Sequence, residues 1–475
     1  MPLPSIIQGG MGVAISDWRL ARAVSTTGQL GVVSGTALDV LCTRRLQSGD
    51  TDGSMRRALA AFPVPGVADW ILAAYFVDGG IGPDERYRQV PRHTLTSSAR
   101  LLELTTAANF VEVFLAKEGH DGVVGVNYLR KIELPLPAAL YGAMLAGVDY
   151  VLVGAGSPAE IPGLVRALAT HDDVTVSVRV QGARSSDGLG DMVFSPKALF
   201  PTLNTPVVAP KVLAIVASAD LATALAQTPQ LRPDGFVLEG PSAGGHNAPP
   251  RGPRQVDQLG QPVYGERDEV DLPTILALGL PVWLAGSYGS PQRYREALAS
   301  GATGVQVGTA FAYCEESGFD PALKDKVRAK IVDGTLAVRA DWRSSPTGFP
   351  FRVAELDGTW TDPDTVADRQ AVCDLGALRS AYRKDDGSVD FRCPAEPPAQ
   401  YLRKGGREAN IEGRACLCNA LFASAGYAQR RPGGRCEPAL VTSGADLESV
   451  SHLLQGHGHY RARDVIDHLL ADVTP

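Results

Sequence analysis

Long hydrophobic runs are missing from this chain: no stretch approaches the roughly 18 uninterrupted apolar residues that a membrane span requires. The start, Met1-Pro2-Leu3-Pro4-Ser5, has neither a basic n-region nor an apolar h-region, so no secretory leader is expected. Cysteine is scarce, seven in 475 residues and thinly spread. An odd, dispersed set favours reduced thiols in the cytoplasm over a disulfide framework. Positive charge is not in excess either. At a net charge of −7, neither nucleic acid nor an anionic membrane surface is an expected partner, because both need clustered cations. Metal-ligand spacing is wanting: His457-Gly458-His459 has no cysteine or carboxylate at ligand distance, and Cys416-Leu417-Cys418 has one intervening residue, which is wrong for the usual zinc or redox pair. No metal is expected, and the two thiols read as packing. Ser242 and Ser287 lack the Gly-x-Ser-x-Gly context of a hydrolase nucleophile.

What is present is a soluble globular composition, 44% hydrophobic and 20% charged. The length predicts one large domain with an extension. Over the first three hundred residues short apolar runs alternate with helical segments. Strands are expected around Ile6, Val32, Val126, Leu152, Leu213, Val237, Val282 and Val305. Helices are expected at Asp17 to Thr27 (capped by Ser16 or Asp17), Leu95 to Glu118, Pro137 to Ala146, Ile161 to Leu168, Asp220 to Ala226, Leu272 to Leu278 and Pro291 to Ala299. Trp70 to Val77 reads as β-like decoration, and Val174 to Val180 as a doubtful strand.

Strands without apolar–polar alternation, separated by helices, imply a parallel sheet covered on both faces. Eight such units predict an α/β fold, a closed (β/α)₈ barrel over residues 1–311 with an insertion at about 182–206. An open doubly wound sheet is the rival, but Gly9-Gly10-Met11-Gly12 after the first strand lacks the spaced dinucleotide fingerprint. Residues 312–475 read as a mainly helical, partly irregular C-terminal region across the barrel mouth.

In such a barrel the strand C-termini converge on one face, where sites are built. Gln8-Gly9-Gly10-Met11, Asn127, Ser218, Glu239 to His246, Ala285-Gly286-Ser287 and Gly308-Thr309 all follow strands directly. Glycines after strands seven and eight expose backbone N–H groups at the usual phosphate position. Gly244 and Gly245 let backbone approach something flat or anionic. His246 beside them can move a proton near neutral pH.

As a set these motifs resemble the nitronate monooxygenases, formerly 2-nitropropane dioxygenases, and the related FMN-dependent enoyl-acyl carrier protein reductases. The resemblance rests on Ile7-Gln8-Gly9-Gly10-Met11, Gly125-Val126-Asn127, Glu239-Gly240 leading to Ala243-Gly244-Gly245-His246, and Gly304-Val305-Gln306-Val307-Gly308-Thr309, in order over residues 5 to 311. It implies an FMN-binding TIM barrel of oxidoreductase type. Gly10 and Met11 would line the isoalloxazine and Asn127 would bond it. Gly245, Gly286, Ser287, Gly308 and Thr309 would hold ribityl and phosphate. Gln8, Gly9, Ser218, Glu239, Ala243, Gly244, Ala285 and Gln306 complete the cofactor side, and His246 matches the active-site histidine.

The implied reaction oxidises a small alkyl nitronate with O₂ to a carbonyl compound and nitrite. An NAD(P)H-dependent enoyl-thioester reductase and a non-catalytic flavin-binding subunit of a synthase are the alternatives, and a homodimer is compatible with either. Two departures stand out. Ser242 occupies the place of the family's glutamate, and Gly286-Ser287-Tyr288-Gly289 replaces its Gly-Gly-Ile.

Overall fold

The computed structural model describes residues 3–471 apart from 368 and 432–435; residues 1, 2 and 472–475, the outer ends of the two expected regions, and with them the first part of the start on which the leader expectation rests, lie outside the described set. Its centre is one sheet of eight parallel strands: β1 (Ile6–Gln8), β2 (Gly31–Ser34), β3 (Val124–Leu129), β4 (Tyr150–Gly154), β5 (Lys211–Val216), β6 (Gly235–Glu239), β7 (Val282–Ala285) and β8 (Gly304–Val307). Neighbours run β1-β8-β7-β6-β5-β4-β3-β2. A parallel bridge between Ile7 and Leu30 joins the two ends. Gln8 N donates to Leu30 O at 2.9 Å and Leu30 N to Ile6 O at 3.1 Å. The fold is the expected (β/α)₈ barrel.

The strands lack alternation because both faces are buried, and each face packs into a different core. Ile7, Val32, Leu152, Leu213, Val237 and Trp283 fill the barrel interior. Their neighbours Ile6, Val33, Val151, Val212, Phe236 and Val282 face the helices. Trp283 is the largest fully buried side chain. Its indole N–H donates to Pro4 O at 2.8 Å, so the ring brings no unsatisfied donor into the core; truncating it to alanine costs about 3–5 kcal/mol.

Helices flank this barrel as the periodicity predicts. Trp18–Ser25 is capped by Asp17, which accepts from the N–H groups of Arg19 and Leu20. The long helix is Ala99–Lys117. Trp70 to Val77 differs from expectation: Val67–Tyr75 is a helix that buries Val67, Ile71 and Tyr75 at four-residue spacing. The aromatic and β-branched content suggested a strand, but the packing follows the helical period.

The insertion begins earlier than expected. Val174–Ser177 pairs antiparallel with Asp191–Phe194, outside the barrel sheet. Beyond Phe311 the helices Pro321–Val332, Leu417–Ser424, Glu448–Leu454 and Ala462–Leu470 are joined by short strands, which the reading of 312–475 as mainly helical did not include. Val338–Asp341 pairs with Phe351–Ala354, and Ser380–Arg383 with Val389–Arg392. Among the described residues no helix is long and apolar enough to cross a membrane.

Candidate active site

The strand C-termini open into a cavity of about 530 Å³. Sixteen of the seventeen residues singled out in the sequence line it: Gly9, Gly10, Met11, Asn127, Ser218, Glu239, Ala243, Gly244, Gly245, His246, Ala285, Gly286, Ser287, Gln306, Gly308 and Thr309. The exception is Gln8. It is fully buried beneath the cavity, where its Oε1 accepts from Val32 N at 3.0 Å and its Nε2 donates to Ser16 Oγ at 2.9 Å. The amide thus stands in for a ladder rung between β1 and β2, which explains its place in the sequence without a ligand. Ser218 lines the wall but also caps the helix Ala219–Gln227.

Gly10 sits so close to β3 that a Cβ there would lie 2.4 Å from Asn127 Cβ. The missing side chain lets Asn127 Nδ2 donate to Gly10 O at 3.1 Å, which fixes the amide and leaves Asn127 Oδ1 buried without a partner. Gln306 Oε1 on β8 is likewise buried and unpartnered. Two unsatisfied acceptors in one cavity are costly unless a ligand donates to them. Opposite, the left-handed backbone at Gly286 (φ 91°) and Ser287 (φ 61°) turns the chain after β7 beside Gly308 and Thr309 after β8.

His246 is held by a device absent from the sequence reading. Gly245 and His246 form a two-residue strand paired antiparallel with Arg352 and Phe351. The imidazole meets the Phe351 ring edge-on at 4.8 Å, and its Nε2 lies 2.7 Å from Ser345 Oγ and 3.3 Å from Thr347 Oγ1. Burial, with the Lys131 cation second, pushes its pKa well below the ordinary histidine value, so the ring is neutral at neutral pH.

Lys131, three positions past Tyr128 in the loop after β3, was also missed. Its Nζ lies 3.5 Å from the Phe349 ring centroid and has no hydrogen-bond partner. Burial lowers its pKa to about 7, against the pull of Glu239. Burial raises the Glu239 carboxyl to about 7, against the pull of Lys131. The pair therefore titrates within the physiological range, as groups that exchange protons or bind anions do.

The C-terminal region supplies the remaining wall through Phe349, Phe351, Leu375, Leu378, Leu417, Cys418, Leu421, Phe422 and Thr442–Gly444. Gly444 N donates to Thr309 Oγ1 at 2.9 Å and Ala445 N to Ser242 O at 3.0 Å. That second bond uses the backbone at Ser242. Cys393 and Cys416 pack with Ala395, and among the described residues no group of three or more His, Cys, Asp or Glu is arranged for a metal.

Residues 204–349 match the nitronate monooxygenase family. The matched segment carries Glu239 to His246, both glycine turns and the Ser345 and Thr347 partners of His246. The match covers less than a third of the chain and is a likeness to that family over this segment. No curated protein matches it. Among solved structures it is similar to a nitroalkane oxidase from Streptomyces ansochromogenes (14% identity, 99% of this chain and 95% of the other, TM-score 0.48). It is also similar to FabK from Thermotoga maritima (17%, 98% and 91%, TM-score 0.46). A third is the enoyl reductase domain of MlnA from the macrolactin cluster of Bacillus amyloliquefaciens (11%, 98% and 95%, TM-score 0.45). At these values the likenesses carry no argument about chemistry.

Proposed function

We propose that the cavity binds FMN and that the protein oxidises small alkyl nitronates. The carrying observation is the pair of buried, unpartnered acceptors, Asn127 Oδ1 and Gln306 Oε1, which suit a flat heterocycle bearing an N–H. Gly10 and Met11 would lie against the ring. Gly245, Gly286, Ser287, Gly308 and Thr309 would serve ribityl and phosphate through backbone donors. Gly9, Ala243, Gly244, Ala285, Ser218 and Glu239 complete the wall. When bound, FMN supplies a two-electron acceptor between the nitronate and O₂, from which carbonyl compound and nitrite result.

The chain's own groups define the substrate side. Lys131, a buried cation without a hydrogen-bond partner, favours an anionic substrate such as a nitronate. Neutral His246 adds no competing charge, and Ser345 fixes which ring nitrogen is free to hold or deliver a proton. Residues 312–475 close the mouth and exclude water.

A second reading has support in the far wall. Leu375, Leu378, Leu417, Leu421 and Phe422 form an apolar surface suited to the acyl chain of an enoyl thioester reduced with NAD(P)H. Anaerobic mixing with propyl nitronate and, separately, with NADPH decides between them by following the flavin absorbance. Bleaching by the nitronate alone supports the oxidase. Bleaching by NADPH alone supports the reductase, and bleaching by neither supports a non-catalytic flavin subunit.

A further inference from the structure

A second cavity, of about 650 Å³, adjoins the first and shares Leu375 with it. Four segments far apart in sequence build its wall: the helix Leu38–Gln47, the loop around Arg86 to Val90, the stretch Gln370 to Leu375, and Gln429 to Arg431. They bring together five arginines, Arg44, Arg86, Arg88, Arg430 and Arg431, against one carboxylate, Asp374. Asp374 is already engaged, accepting from Asn419 Nδ2 at 2.6 Å and Gln429 Nε2 at 2.9 Å.

Among the described residues none of the five guanidinium groups makes an ion pair. Their hydrogen bonds go to uncharged acceptors: Arg44 to Tyr427 O at 2.5 Å, Arg88 to Ala74 O at 2.5 Å, Arg430 to Gly82 O at 2.8 Å and Arg431 to Gln370 O at 3.0 Å. Arg44 is buried, only 4% exposed. Its guanidinium lies 4.5 Å from the Phe422 ring, and Phe422 itself lines the first cavity. Arg44 and Arg430 both lie against Tyr87, at 5.1 and 4.9 Å. Ring and carbonyl contacts orient these cations, and the nearby Asp374 carboxylate acts on Arg44 without a close ion pair. A chain of net charge −7 thus concentrates five cations in a single recess, where Asp374 attracts Arg44 and Glu437 attracts Arg431 without a close ion pair. Such an excess of cations over carboxylates is costly where it is buried.

We propose that this recess binds the diphosphate of an organic phosphate whose other end reaches the first cavity past Leu375. Forked guanidinium donors match phosphate oxygens bidentately. Five cations and this volume exceed what a lone phosphate uses. The shared edge at Leu375 and the Arg44–Phe422 contact give such a ligand a route to the reacting end. The claim concerns binding, and it stands whichever substrate the first cavity oxidises or reduces.

Two kinds of ligand carry this chemistry, a nicotinamide dinucleotide and a coenzyme A thioester, and competition separates them. The test is calorimetric titration of the purified protein with inorganic pyrophosphate, followed by displacement with NADPH and with coenzyme A. Saturable, salt-sensitive binding is expected, weakened roughly tenfold or more by Arg44→Gln and by Arg86→Glu. Arg86 is exposed and has no hydrogen-bond or ion-pair partner among the described residues, so its variant remains informative should the buried one fail to fold. Displacement by NADPH assigns the recess to a hydride donor, and displacement by coenzyme A to a thioester. Absence of pyrophosphate binding, binding unchanged in the folded variants, or displacement by neither compound overturns the proposal.

Discussion

His246 Nε2 and Ser345 Oγ lie 2.7 Å apart, a contact across 99 residues that ties the barrel's sixth loop to the C-terminal region. If His246 handles the substrate proton, His246→Ala leaves flavin bound but lowers kcat by roughly 10²–10⁴. Ser345→Ala, which frees the ring without removing it, lowers kcat by roughly tenfold, the scale of one lost hydrogen bond. Steady-state rates with flavin content as control check both.

The histidine also sets a pH dependence of stability. Its folded pKa is depressed, so the unfolded chain takes up its proton first as pH falls through about 6.5, and stability is lost below that value. One such group contributes a slope of up to about 1.4 kcal/mol per pH unit. Urea unfolding between pH 5 and 8 should show a loss at the acid end that His246→Ala flattens.

Lys131 lowers the pKa of both His246 and Glu239. Lys131→Met therefore moves the histidine up toward its ordinary value and the carboxyl above about 7. Proton NMR titration of the His246 ring reads the first shift directly. In the native enzyme the pH profile of kcat/KM has an inflection near 7, where both Lys131 and Glu239 titrate; the variant displaces it and raises KM for an anionic substrate.

Much of this architecture was legible in the chain because the barrel writes its period into the sequence. Ile6, Val33 and Phe236 face helices while Ile7, Val32 and Val237 face the interior, so continuous apolar runs mark the strands. The strand ends could be located the same way, and all but Gln8 of the residues taken from them meet in one cavity. Gln8 lies beneath the cavity instead, because a buried amide bridging two strands has the same sequence signature as one that faces a ligand. Ser345, Lys131 and the arginine recess were illegible for a different reason. Each depends on long-range contact, between 246 and 345, 131 and 239, or 44, 86 and 430, and no local period reports such meetings. The strand at Gly245–His246 is also too short to announce itself.

Gly10 tests the cofactor side independently of catalysis. A methyl group there would meet Asn127 at 2.4 Å, so Gly10→Ala displaces the amide whose free oxygen is assigned to the flavin. The variant should fold, with melting lowered by a few degrees as for about 1 kcal/mol of strain, and should bind FMN at least roughly tenfold more weakly. Fluorescence quenching of FMN gives the affinity.

The central claim is that the cavity at the strand ends is a flavin site. Titrating FMN into flavin-stripped protein, followed by visible absorbance and calorimetry, measures it most directly. One FMN per chain, bound tightly in the native protein and weakly in Gly10→Ala and Asn127→Ala, is the predicted result. A protein that is colourless as purified and takes up no FMN would contradict it.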